Sequence, residues 1–243
     1  MRYVVVDNSG SMQNMDGQRL VQLSNGQFKP IQASRWAELG DLVMEMAEVA
    51  SALGAATSFH MLNPTPIGQF FVIGESKGGD NHGGAETAVG RAGVPVDLST
   101  LKEAMGTSPN STTPLTESVE AIIRLITPAA AALRAHGQKC VVVLATDGLP
   151  NNPDSFLRAL QELQQLPVWL VVRLCTDEDA VVEYCACTAF QPGPCSVPGF
   201  VPLLTARVFE SQGTTLTASL RRRSKRSTTW RARRRRSHAS TRG

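Results

Sequence analysis

The sequence predicts an α/β fold: a doubly wound, mostly parallel sheet with helices on both faces. Three observations predict it. The runs "YVVV" (3–6), "CVVVLAT" (140–146) and "VWLVVRLC" (168–175) are nearly continuous in β-branched and apolar residues, as strands covered on both faces must be. Segments with a 3.6-residue apolar period lie between them, so strands alternate with helices along the chain. With 243 residues and 42% hydrophobic content, the chain is long enough to bury one good core.

Taken in order, "YVVV" is the first strand. Residues 34–53 follow as a helix, with Trp36, Leu39, Val43, Met46, Ala50 and Leu53 in register and Ser34 placed to cap its start. The stretch between Met12 and Ser34 reads as a long polar loop. Two weaker strands, "TSFHML" (57–62) and "QFFVIG" (69–74), precede a glycine-rich loop, "GGDNHGG" (78–84). A second helix spans 114–126, with Leu115, Val119, Ile122 and Ile126 on one face and Pro114 in the first turn. "CVVVLAT" is the next strand, a third helix beginning near Pro153 buries Phe156, Leu160 and Leu163, and "VWLVVRLC" closes the recognisable pattern.

After Tyr184 the composition changes. The stretch "CACTAFQPGPCSVPGF" (185–200) carries Pro192, Pro194 and Pro198, which exclude a helix, and "FVPLLTARVF" (200–209) offers one short edge strand. From residue 207 onward there are twelve Lys and Arg against one acid, Glu210. Twelve basic and twenty acidic residues precede them, so the formal charge of +3 hides an acidic body at minus eight and a basic tail. "RRRSKR" and "RARRRR" belong to a Ser/Thr/Arg composition that cannot bury enough apolar surface to fold. The organisation expected is thus one α/β domain over residues 1–183 and a largely disordered tail over 184–243, with the domain's last strand and helix either supplied by a divergent edge or missing.

Five cysteines, an odd number, in a chain too long to need disulfide staples point to a reducing compartment. At the N-terminus "YVVV" is far shorter than the roughly 7 to 15 apolar residues of a signal-peptide core, and no run approaches the ~18 of a membrane span, so a soluble, cytoplasmic protein is expected, with the nucleus as the alternative through the basic tail. A core strand starting at residue 2 points to a longer N-terminus. His60 lies in a strand and reads as structural. Cys185, Cys187 and Cys195 lack a nearby His, which argues against a zinc site.

The chemistry gathers at strand ends. In an open parallel sheet, ligands bind beyond the carboxyl ends of the strands. Asp7, Ser9 and Ser11 in "DNSGSM" follow the first strand, each two residues apart, a spacing that turns alternate side chains the same way. Asp147 in "LATDGLPNN" ends the 140–146 strand, and Thr113 in "NSTTPLTES" immediately precedes a helix, with Thr112 beside it as the alternative donor. Every donor is a hard oxygen, which selects Mg²⁺, Ca²⁺ or Mn²⁺ over zinc. Alone, Asp7 reads equally as the start of an Asx turn, Thr113 as a helix cap and Asp147 as a turn residue.

"DNSGSM", "TTPLT" and "ATDG", in this order and after these elements, resemble the metal-ion-dependent adhesion site of the von Willebrand factor type A family. The resemblance covers about residues 2 to 183. It implies that Asp7, Ser9, Ser11, Thr113 and Asp147 hold a divalent ion at the top of a sheet of order 3-2-1-4-5-6 with one antiparallel edge strand. It also implies a non-enzymatic, metal-dependent module that captures an Asp or Glu side chain of a partner protein. Hydroxyl ligands leave a dication only partly neutralised, and no motif residue supplies the general base that catalysis needs. Two other readings stand beside it. "VVVDNS" also resembles the aspartate strand of haloacid-dehalogenase phosphatases, although Ser9 stands where a second acid is wanted. The arginine runs suit nucleic acid or a nuclear-localisation role.

Overall fold

The computed structural model describes residues 1–74, 93–176, 178 and 181, and the backbone of 203–205. Nearly all of the 184–243 segment, the glycine-rich loop, the three clustered cysteines and the arginine runs lie outside the described residues.

Among the described residues the main sheet has seven strands. In chain order they are β1 (Arg2–Val6), β4 (Thr57–Met61), β5 (Phe70–Ile73), β6 (Val94–Pro95), β7 (Cys140–Thr146), β8 (Val168–Leu174) and β9 (Leu203–Thr205). Across the sheet the order is β6-β5-β4-β1-β7-β8-β9. Strands β4, β1, β7, β8 and β9 pair in parallel, β5 runs antiparallel to β4, and β6 is parallel to β5. Setting β6 aside, this is the 3-2-1-4-5-6 order. The antiparallel strand is not the outermost, because the two-residue β6 pairs along its far side. Nor is a last strand missing: β9, from the apolar piece "FVPLLTARVF", pairs in parallel with β8, Val171 standing opposite Leu203.

Continuous apolar strands are explained by cover on both faces. Val4 and Val6 face one cluster, Tyr3 and Val5 the other. The first cluster is closed by α1 (Arg35–Ala52) through Trp36, Leu39, Val43 and Ala47, and by α2 (Leu98–Met105) through Leu101 and Ala104. The second is closed by α3 (Leu115–Ile126), by α4 (Ala130–Ala135) and by α5 (Pro153–Leu163), with Ile122, Ile126, Phe156, Leu160 and Leu163 inside. Among the described residues no helix is long and apolar enough to cross a membrane.

The helix starts follow their capping chemistry. Ser34 accepts from the Ala37 N–H at the start of α1, and Asn152 accepts from the Ser155 N–H ahead of Pro153 in α5. Two details of the predicted periods change. Ala47 rather than Met46 is fully buried in α1, and Leu53 stands exposed past its end, where the chain has already left the helix. Pro114 sits at the N-cap of α3 rather than inside its first turn.

The predicted polar loop before Ser34 is instead an antiparallel hairpin, β2 (Gly17–Gln22) with β3 (Phe28–Ala33), forming a sheet of its own. Its turn is built on Ser24, Asn25 and Gly26. Leu23 N–H donates to the Gln27 carbonyl at 2.7 Å, Asn25 Oδ1 accepts from the Gln27 N–H at 3.0 Å, and Gly26 takes φ of 80°. At the hairpin base, a Cβ on Gly17 would lie 2.5 Å from the Ser34 carbonyl oxygen, so only glycine lets β2 lie this close to the start of α1. Cys140 and Cys175 are buried, and burial pushes the Cys175 thiol up to about 12. Both serve as small apolar residues.

Candidate functional site

The carboxyl ends of β1 and β7 lie side by side, because the two strands pair in register from Arg2 opposite Val141 to Val6 opposite Ala145. The ladder extends one step further: Asp7 N–H donates to the Ala145 carbonyl at 3.0 Å. That places Asp7 and Asp147 at the same end of the two central strands.

Asp7 is wholly buried, and both its carboxylate oxygens accept hydrogen bonds. Oδ1 accepts from the Ser9 N–H at 2.9 Å, an Asx turn, and Oδ2 accepts from the Thr146 hydroxyl at 2.6 Å. Burial pushes the Asp7 carboxyl above the usual carboxylate range. Hydrogen bonds from Ser9 and Thr146 oppose that, and the charge of Asp147 adds to it. The Ser9 and Ser11 hydroxyls are 3.1 Å apart, and the Ser11 hydroxyl donates to Asp147 Oδ1 at 2.9 Å. Asp7, Ser9, Ser11 and Asp147 therefore form one continuous chain of oxygen groups. Three of the four are buried and Ser11 opens onto the surface.

The structure places Thr113 beside this chain without joining it. Its N–H donates to Asn151 Oδ1 at 3.1 Å, and its carbonyl accepts from the Asn151 N–H at 3.3 Å. Helix α3 has no side-chain cap, so Thr113 does not serve as one. The loop carrying Thr113 is fastened to the first motif by Gly10 N–H to the Ser111 carbonyl at 3.1 Å and Asn110 N–H to the Asn8 carbonyl at 2.9 Å. Ser111 has φ of 70°, in a region costing an L-residue roughly 1–2 kcal/mol, and these contacts hold it there. Beneath them, Asn8 and Asn63 exchange hydrogen bonds of 2.9 and 2.8 Å, and Asn63 Nδ2 donates to the Thr112 carbonyl at 2.9 Å.

Sequence reasoning missed Asn8, Asn63 and Thr146, which orient the cluster, Asn151, which holds the Thr113 backbone, and above all Arg35. Arg35 Nη1 donates to Asp147 Oδ2 at 3.0 Å, while Nε and Nη2 each reach Asp16 at 2.7 Å and Nη2 also reaches Glu178 at 2.8 Å. One signal was available. Arg35 is the first residue of α1, where the helix macrodipole disfavours a cation, so an arginine there calls for carboxylate partners.

The residues present fit a hard divalent cation. The donor set is all oxygen, with two carboxylates and two hydroxyls, and a cation would favour the ionised form of Asp7 that burial opposes. Asp7, Ser9, Ser11 and Asp147 would hold such an ion, with Thr113 on the adjoining rim. Among the described residues no three His, Cys, Asp or Glu side chains come together as metal ligands, so the hydroxyls are integral to the set.

No protein-family model matches the sequence, and no curated protein matches it. Among solved structures, one similar chain is that of the crystal structure of manganese-loaded Plasmodium vivax TRAP protein. It is 15% identical, with a TM-score of 0.44, and the match covers 83% of this chain and 66% of that one. At that distance function has to be argued from the site itself, whose elements are an α/β sheet, an oxygen-lined cluster at the ends of its two central strands, and a buried arginine on one carboxylate.

Proposed function

We propose that this chain is a non-enzymatic, divalent-metal-dependent protein-interaction module of the von Willebrand factor type A kind, which captures an Asp or Glu side chain of a partner. The observation that carries the reading is the hydrogen-bonded chain Asp7–Ser9–Ser11–Asp147, buried at one end and open at Ser11. A bound Mg²⁺, Mn²⁺ or Ca²⁺ would supply a hard Lewis acid for a carboxylate oxygen of the partner. The protein's own groups favour that use. Ser9 and Ser11 contribute no charge, and Asp147 already shares its charge with Arg35, so a dication in this cluster is less fully neutralised than two unshared carboxylates would leave it and stays attractive to an incoming acid. The expected compartment is the cytoplasm, where the partner would be another soluble protein.

The test has two parts. Mn²⁺ or Mg²⁺ should raise the thermal midpoint over that in EDTA, since an ion held at a hundred times its Kd stabilises the fold by about 2.7 kcal/mol. Asp7→Ala should abolish that response. Immobilised Asp- and Glu-bearing peptides should then retain the wild-type protein in Mg²⁺ and release it in EDTA, while their Asn and Gln counterparts retain nothing. Peptide retention indifferent to EDTA and to Asp7→Ala would refute the reading.

A further inference from the structure

Arg35 is only 3% exposed, yet it serves three carboxylates at once, from the hairpin base (Asp16), from the end of β7 (Asp147) and from the segment after β8 (Glu178). The Asp16 and Glu178 side chains are half exposed, whereas Asp147 has none of its side chain in contact with water. An ionised carboxylate so placed needs a cation, and a guanidinium supplies one permanently. Asp147 is thereby divided: Oδ2 belongs to Arg35, and Oδ1 faces Ser11 and the rest of the cluster. Asp7 differs, since the groups that hydrogen-bond to it, the Ser9 N–H and hydroxyl and the Thr146 hydroxyl, carry no charge.

Resting on the metal-site reading above, we propose that Arg35 is a resident counter-charge for Asp147, which lets the domain fold without a divalent ion and holds its affinity for that ion down. Guanidinium and dication would share one carboxylate as counter-ion. Like charges that close repel strongly at the effective dielectric of a protein site, so each weakens the other's hold. The consequence for function is an exchangeable, electrophilic ion rather than a permanently sequestered one. Arg35 is in this sense a positioning and affinity-setting residue that does not touch the partner.

The full-length wild type, Arg35→Gln and Arg35→Lys are compared by thermal melting in EDTA and by calorimetric titration with Mn²⁺. Arg35→Gln should melt lower in EDTA, bind Mn²⁺ at least about tenfold more tightly than wild type, and gain more midpoint from the ion. Arg35→Lys, which keeps the charge, should stay near wild-type affinity. If Arg35→Gln is unfolded in EDTA, recovery of a cooperative melt in Mn²⁺ is the same result in stronger form, and failure to recover overturns the proposal. Wild-type binding with equal or weaker binding by Arg35→Gln overturns it while leaving the metal site standing, as does a lysine variant as tight as the glutamine one. Absence of Mn²⁺ binding in both wild type and Arg35→Gln removes the site reading, and this inference with it.

Discussion

Strands β1 and β7 at the centre of the main sheet and the hairpin β2–β3 are both extended, partly apolar chain, yet they bury opposite shares of their side chains. Tyr3, Val5, Val142 and Leu144 are enclosed on one face of the sheet, and Val4 and Val6 on the other. On the hairpin, Leu20 is 61% exposed and Phe28 65% exposed, and Val21 and Ile31 also reach solvent. The hairpin holds its place by polar ties at its base instead. Arg19 forks onto Asp41 of α1 at 2.6 and 2.7 Å, Gln18 N–H donates to Glu38 at 2.9 Å, and Asp16 meets Arg35. The comparison teaches that apolar content alone does not locate the core. A strand enters it when elements on both sides can close over it, and the hairpin has α1 on one side only.

The largest expected effect lies in the central sheet. Leu144→Ala, at a wholly enclosed position, should cost about 2–5 kcal/mol in denaturant unfolding, through lost transfer energy and the cavity left behind. A loss below about 1 kcal/mol would break the contrast between the two regions.

Next is an acid effect from β4. His60 packs edge-on against Tyr3 and Phe70, with ring centroids at 5.8 and 5.0 Å, and neither ring nitrogen finds a hydrogen-bond partner among the described residues. Burial pushes its pKa down to about 4 from the ordinary 6.5. The sign follows from proton uptake: below pH 6.5 the unfolded chain binds a proton that the native ring refuses. Stability is therefore full above pH 6.5 and falls as the pH drops toward 4, by roughly 3 kcal/mol in all. His60→Leu should remove that slope, leaving unfolding midpoints at pH 7 and pH 4.5 closer together than in wild type. An unchanged slope would assign the acid sensitivity to other groups.

Smallest is the hairpin itself. Leu20→Ser and Phe28→Ser should each shift unfolding by no more than about 0.5 kcal/mol, because their side chains already lie in water. A loss of 2 kcal/mol from either would mean that the hairpin is covered in solution, and would sharpen the comparison into a search for what covers it.

Much of this was legible from local signals. The buried parallel strands announced themselves by unbroken apolar runs, α1 by Ser34 ahead of a periodic segment, α5 by the period that begins near Pro153, and the cluster by oxygen-bearing residues just past strand ends. The hairpin carried its signal too, in Ser24-Asn25-Gly26, but its flanking residues lack a clean apolar alternation. The eight-residue α2 was too short for its period to register.

Sequence by itself determined the sheet class, the order of its principal elements and the all-oxygen character of the cluster, because burial periodicity, capping and donor chemistry act within a few residues. Tertiary structure alone decided that Arg35 would meet Asp147 across 112 positions, that Asp7 would rely on uncharged hydrogen-bond donors, and that Thr113 would turn its backbone to Asn151. Those pairings depend on which strand ends are brought together by the parallel register of β1 and β7, a long-range arrangement that no window of local sequence contains.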